Sequence, residues 1–189
     1  YTDFTKEDNW PGLIKENTKM IWLETPSNPL MKLVDIKKIK NEITKDNIKI
    51  VCDNTFASPY NQQPLMLGAD VVLHSSTKYL GGHSDVIGGA LIIKDDNSLA
   101  EKIKYLQNAV GSVPSPFDCY MLIRSIKTLA VRMEKHNSNA KIISQFLNTH
   151  DKVTNVRYPG LKTDPNHEIA KLQMSGFGGI MSIELNTNL

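Results

Sequence analysis

Cysteine is scarce in this 189-residue chain: Cys52 and Cys119 are the only two, far apart and each inside a largely apolar segment. Neither has a second Cys or a His beside it at metal-ligand spacing, so no zinc site is expected. Two cysteines do not make a disulfide-dense scaffold either, and they read as reduced, buried thiols of a cytoplasmic protein. No apolar run approaches the roughly 20 residues that a membrane helix needs. Charge of one sign is not in excess. Lys and Arg total 22 against 20 Asp and Glu, a net charge of +2, so neither nucleic acid nor a membrane surface is expected as partner. No internal repeat and no low-complexity tract is visible. The chain opens on Tyr1, with no initiating Met and no recognisable signal peptide, and stops at Leu189 after an alternating apolar stretch. It is therefore expected to be an internal piece of a longer protein. At 40% apolar and 22% charged residues, the composition suits one folded core, or one domain plus part of another.

The pattern along the chain alternates strands and helices. A first strand over 19–24 (KMIWLE) runs into Thr25-Pro26-Ser27-Asn28-Pro29, where two prolines stop regular structure. Val34, Ile36, Ile39 and Ile43 have helical spacing, with Asp35 near the start. Lys37, Lys38 and Lys40 are then the wet face of an amphipathic helix rather than a basic patch. A strand is expected over 48–52 (IKIVC), ending on Asp53, then a loop over 54–60 and a brief helix over 64–68. A strand over 71–74 ends on Ser75. After a polar, glycine-rich stretch to Asp85, Gly88 and Gly89 lead into a strand over 90–94. Ser98 and Glu101 have the spacing of a capping box for a helix reaching about Val110. Residues 117–147 hold no Gly or Pro and predict one long helix that bridges two domains or bends between them. The tail reads strand, turn at Tyr158-Pro159-Gly160, short helix, then strand over 179–185. The division expected is 1–128 for a large domain and 129–189 for a linking helix with the start of a smaller α/β domain.

Strands alternating with helices predict an α/β fold with a mainly parallel sheet. Ligands of such sheets bind beyond the carboxyl ends of the strands. Asn28, Asp53 and the run from Ser75 to Lys78 all fall just past strand ends, so the fold brings them to one edge. On pattern alone this is a site for an anionic or polar ligand with a lysine available for chemistry. A lone lysine is ordinarily a solvated charge. Lys78, however, follows Ser75, Ser76 and Thr77 at a strand exit, where hydroxyls and backbone amides hold phosphate. An amine there could also form a Schiff base. An Asp at a strand end is often only a turn residue. Aimed at a pyridine nitrogen, Asp53 would keep that ring protonated and make it an electron sink. Together, Asp53 and Lys78 describe the working parts of a pyridoxal phosphate site.

The segments 24–29 (ETPSNP), 53–60 (DNTFASPY), 75–85 (SSTKYLGGHSD), 113–120 (VPSPFDCY), 127–136 (KTLAVRMEKH) and 158–161 (YPGL) resemble, in order, the Cys/Met-metabolism family of pyridoxal-phosphate enzymes. The resemblance implies fold type I, with a large cofactor-binding domain followed by a smaller α/β domain. It implies that Lys78 forms the aldimine with pyridoxal 5'-phosphate and that Asp53 pairs with the ring nitrogen. It further implies that Asn28 meets the ring 3-oxygen, that Ser75 and Thr77 contact the phosphate, and that Thr55 lies beside the ring. The activity implied is γ-elimination of cystathionine to cysteine, 2-oxobutyrate and ammonia in transsulfuration, with Lys78 as the base at the α-carbon. Segments 113–120 and 127–136 lean towards the γ-eliminating members. Cystathionine γ-synthases, cystathionine β-lyases and methionine γ-lyases share the core, and a non-catalytic fragment is the remaining alternative. Homotetramers with shared active sites are implied as well. The family's ring-stacking aromatic, its glycine-containing phosphate loop, an arginine lent by the neighbouring subunit and the substrate-carboxylate arginine find no match in this chain.

Other residues have plainer expectations. The seven methionines and Trp10 and Trp22 are core packing. His83 orders its loop, and His136 and His167 are surface or turn residues. Arg124 and Arg132 are structural helix residues.

Overall fold

A computed structural model describes residues 1–6, 10–43, 45, 47–94 and 97–186. Its main sheet has four strands in the order β1 (Met20–Glu24), β2 (Lys49–Asp53), β3 (Val71–Ser75), β4 (Gly89–Ile93). The first three are parallel, pairing Glu24 with Asp53 and Asp53 with Leu73, and β4 runs antiparallel to β3. Each expected strand is present within a residue or two. β2 is central, and its Ile50, Val51 and Cys52 are all buried, the continuous apolar run of a strand covered on both faces. β1 alternates buried and exposed because only one of its faces is covered. Met20 and Trp22 therefore lie open, as does Met66 on the turn Pro64–Leu67, correcting their expected place in the core. Trp10, Met31, Met133 and Met174 are buried as expected.

Helix α1 (Ile36–Glu42) crosses from β1 to β2. The Asp35 carboxylate caps it by accepting the Lys38 N–H at 2.8 Å. Ile36 and Ile39 join Ile21, Leu23, Ile48, Ile50 and Val72 in the largest core cluster, each such side chain contributing roughly 1.5–3 kcal/mol by burial. The segment expected as a loop over 54–60 instead contains a single helical turn, α2 (Ser58–Asn61). Behind it, Asn54 Nδ2 donates to the Gln62 carbonyl at 2.8 Å, while Gln62 Nε2 donates to Asn54 Oδ1 at 2.9 Å and to the Thr25 carbonyl at 3.0 Å. This buried network ties the exits of β1 and β2 together, and no periodicity reports it.

Helix α3 (Asn97–Val110) begins one residue before the expected cap. The long helix expected over 117–147 is two: α4 (Pro116–Ile126) and α5 (Leu129–Leu147). No Gly or Pro makes the break. The Ser125 carbonyl, which would accept the Leu129 N–H in a continuous helix, is taken by the Thr128 N–H at 3.1 Å, Thr128 Oγ1 at 3.0 Å and Arg132 Nη2 at 3.0 Å. Ser115 caps α4 by accepting the Asp118 N–H at 3.1 Å. Most of α4 is uncovered, leaving Phe117, Tyr120 and Ile123 exposed and Cys119 half-buried, where a buried thiol was expected.

The tail forms a small antiparallel pair, β5 (Val153–Arg157) and β6 (Ser182–Leu185), with α6 (His167–Gln173) between them. β6 starts later than expected because residues 176–179 are pinned elsewhere. Gly178 N–H donates to Asn137 Oδ1 at 2.9 Å, and Tyr158 OH donates to the Gly178 carbonyl at 3.1 Å. Ala170 and Met174 pack on Leu33 and Ala57, so the tail shares a cluster with the loops that follow β1 and β2.

Candidate active site

The carboxyl ends of β1, β2 and β3 lie side by side, and the expected site residues emerge from them. Asp53 is the last residue of β2. Its Oδ1 accepts the Thr55 N–H at 3.0 Å and the Thr55 hydroxyl at 2.6 Å, and Thr55 Oγ1 in turn accepts the Ser75 N–H at 2.8 Å. One threonine thus links the end of β2 to the end of β3. Among the described residues no protein group takes Asp53 Oδ2, so that oxygen is left for a ligand.

Ser75 opens the turn that carries the lysine. Residues Ser76–Leu80 form a kinked helical turn, closed by Gly81 N–H on the Ser76 carbonyl at 2.8 Å and Gly82 N–H on the Lys78 carbonyl at 2.7 Å. Lys78 departs from helical geometry within it, at φ −89° and ψ −122°. Its side chain is exposed, and among the described residues its ammonium has no protein partner. Thr77 Oγ1 accepts the Gly88 N–H at 3.1 Å, which leaves its own proton to donate. Gly88 packs close on the turn: a Cβ there would stand 2.8 Å from Ser76 Oγ and push that hydroxyl aside.

Asn28 is the least integrated member. It sits exposed on the turn after β1, and among the described residues no hydrogen bond joins it to the other five; its backbone N–H donates to Glu24 Oε1 at 3.2 Å. Glu24 faces Asp53 across the strand pair, and its carboxyl is pushed up, first by burial and then by the Asp53 charge.

His74 and the Tyr79 contacts escaped sequence reasoning, and Arg132 was expected only as a structural helix residue. His74, buried on β3, is pushed down to about 4 by burial, with Asp53 pulling the other way, so near neutrality it carries no charge. Tyr79 OH accepts the Gly179 N–H at 3.0 Å and its ring lies 5.2 Å from that of His136. Arg132 reaches from α5 to donate to the Tyr79 carbonyl at 2.6 Å. Tyr79 and Arg132 have no local signal, because each acts across more than 50 residues of sequence. His83 Nδ1 lies 2.8 Å from its own loop's Gly81 carbonyl, in keeping with loop ordering.

A carboxylate oxygen, the hydroxyl protons of Ser75 and Thr77, and an amine on Lys78 that has no protein partner among the described residues lie at one sheet edge. That donor set suits a ligand with a basic ring nitrogen, a phosphate and a carbonyl, and so fits pyridoxal phosphate. Over 189 residues the chain is 51% identical to the cystathionine β-lyase of Coxiella burnetii, covering all of this chain and 49% of that protein. It is 56% identical over 185 residues to a probable cystathionine γ-synthase of Herpetosiphon aurantiacus, covering 98% of this chain and 58% of that one. The crystal structure of cystathionine γ-lyase from Lactobacillus plantarum in complex with L-serine superimposes with a TM-score of 0.89 at 49% identity, over 93% of this chain and 46% of that one. The chain thus spans about half the length of the relatives it matches, and it has the expected α/β architecture of fold type I pyridoxal-phosphate enzymes. The sequence profile of the Cys/Met metabolism PLP-dependent enzymes matches from residue 1 to residue 189, and the chain belongs to that family.

Proposed function

We propose that the full-length protein is a carbon–sulfur lyase of cystathionine, releasing cysteine, 2-oxobutyrate and ammonia by γ-elimination. The observation that carries the site assignment is the chain Asp53–Thr55–Ser75, which joins two strand ends beside an unpartnered Lys78. Pyridoxal phosphate, when bound, supplies the electron sink for a carbanion at the substrate α-carbon.

The chain's own residues then have distinct tasks. Asp53 Oδ2 would accept the ring N–H, while Thr55 occupies Oδ1. Ser75 and Thr77 would donate hydroxyl protons to the phosphate. Asn28 would meet the 3-oxygen, from a turn that Glu24 braces by accepting the Asn28 N–H. Lys78 Nζ would hold the cofactor covalently, and as a free, neutral amine it would be the base for the substrate α-proton and the donor of protons further along the substrate.

The γ-lyase reading draws support from segments 113–120 and 127–136 and from the likeness to the Lactobacillus plantarum enzyme. A γ-synthase or β-lyase is the second reading, favoured by the names of relatives more than 50% identical. The same reading makes residues 1–128 part of the cofactor-binding domain and 129–189 the linking helix and start of the next. It also has the protein assemble as a cytoplasmic homotetramer, for which exposed Phe117, Tyr120 and Ile123 along one stripe of α4 offer apolar surface.

Product analysis of the full-length, cofactor-loaded protein decides between the readings. Cystathionine should yield 2-oxobutyrate and cysteine. Pyruvate with homocysteine would make it a β-lyase. Formation of cystathionine from cysteine and an activated homoserine, without net cleavage, would make it a γ-synthase.

A further inference from the structure

We propose that Arg132 is a positioning residue for Lys78, fixing the turn from which that amine acts; the inference rests on the reading of Lys78 as the cofactor lysine. The turn needs such a support. Ser76–Leu80 is kinked at Lys78, which leaves helical geometry, so no continuous hydrogen-bond ladder sets the direction of that residue.

The guanidinium supplies what the ladder does not. Nη1 donates to the carbonyl of Tyr79, the residue after Lys78, at 2.6 Å. Nη2 donates to the Ser125 carbonyl at 3.0 Å and Nε to Thr128 Oγ1 at 3.1 Å. All three nitrogens are thus engaged, and the planar fork bridges the lysine turn to the break between α4 and α5. Among the described residues Arg132 has no carboxylate partner, so its charge is committed to carbonyl and hydroxyl oxygens. A lysine has a single point donor and does not reproduce that fork. The turn is also moulded around the group. Gly82 has φ +76°, and a Cβ there would stand 2.4 Å from Nη1 and 2.6 Å from Cζ. Tyr79 then extends the support on its other side, its hydroxyl accepting the Gly179 N–H.

The contacts divide into two sets, which makes the role testable. Nη1 and Gly82 touch the lysine turn, whereas Nε and Thr128 touch only the helix break. If Arg132 merely holds the helices, effects on Lys78 should follow loss of stability. If it positions Lys78, they should follow the Nη1 contact.

The test is the rate at which the full-length protein, freed of cofactor, is labelled on Lys78 when mixed with pyridoxal phosphate and quenched with borohydride at intervals. Peptide mass mapping reads the label, and thermal unfolding is recorded beside it. Arg132→Lys and Gly82→Ala should label Lys78 on the order of 10²-fold more slowly, the cost associated with a displacement of about 1 Å. Thr128→Val should lower thermal stability and leave the labelling rate of the folded protein at the wild-type value. Should Arg132→Lys fail to fold, the contrast between Gly82→Ala and Thr128→Val decides alone. Wild-type labelling rates in the folded Arg132→Lys and Gly82→Ala proteins would overturn the inference, as would equal slowing in Thr128→Val. Wild-type protein labelled on a different lysine would instead overturn the site assignment itself.

Discussion

Thr55 holds Asp53 by a single carboxylate oxygen: its hydroxyl and its backbone N–H both reach Oδ1, at 2.6 Å and 3.0 Å, and leave Oδ2 without a protein partner among the described residues. The same hydroxyl receives the Ser75 N–H at 2.8 Å, so the position of the carboxylate is tied to the strand that leads into the lysine turn.

Removing that hydroxyl should loosen the cofactor without unfolding the protein. A hydrogen bond to a charged group is worth about 1.5–3 kcal/mol, so Thr55→Val should weaken pyridoxal phosphate binding by roughly 10- to 100-fold. Thr55→Ser, which keeps the oxygen, should stay near wild type. Fluorescence titration of the cofactor-free protein measures both. Equal affinity in the valine variant would show that Thr55 is a spectator.

Changing the carboxylate itself should separate shape from charge. Asp53→Asn keeps the acceptor for Thr55 but does not hold a ring nitrogen protonated. Elimination should be nearly abolished while the circular dichroism spectrum is unchanged. Asp53→Ala should in addition bind the cofactor more weakly, because Thr55 loses its partner. Full turnover by the Asn variant would reduce Asp53 to a turn residue.

His74 gives the fold an acid limb. Its folded value of about 4 lies below the usual 6.5, so between those values the unfolded chain binds the extra proton. Stability should therefore be fully present above pH 6.5, fall as pH drops, and reach its full loss once pH passes below the folded value. The shift corresponds to roughly 3 kcal/mol at most. Urea unfolding at pH 5 and pH 7.5 should differ less in His74→Gln than in wild type. An identical difference in both proteins would assign the acid sensitivity elsewhere.

Much of this was legible in the sequence because it is local. Strand ends show where apolar runs stop, so Asp53, Ser75 and Lys78 could be placed at one edge before any coordinates. Alternation does not reveal whether a second face is covered, which is why Trp22 and Met20 were expected inside. The break at Lys127–Thr128 was invisible because it is made by Arg132 and Thr128 side chains on one carbonyl, with no Gly or Pro to mark it. The Asn54–Gln62–Thr25 network, His74 and the Tyr79–Gly179 contact were missed for the same reason: they depend on which distant segments meet. Thr55 was placed beside the ring by resemblance alone, and the geometry adds its link between Asp53 and Ser75.

The central claim is that Lys78 is the lysine that binds the cofactor, and its most direct test is the site of covalent capture. Borohydride reduction of the full-length protein loaded with pyridoxal phosphate, followed by peptide mapping, should place the pyridoxyl group on Lys78 alone. Among the described residues its amine is unpartnered and follows the Ser75 and Thr77 hydroxyls at a strand exit. A single label on any other lysine, with Lys78 unmodified, would contradict the account.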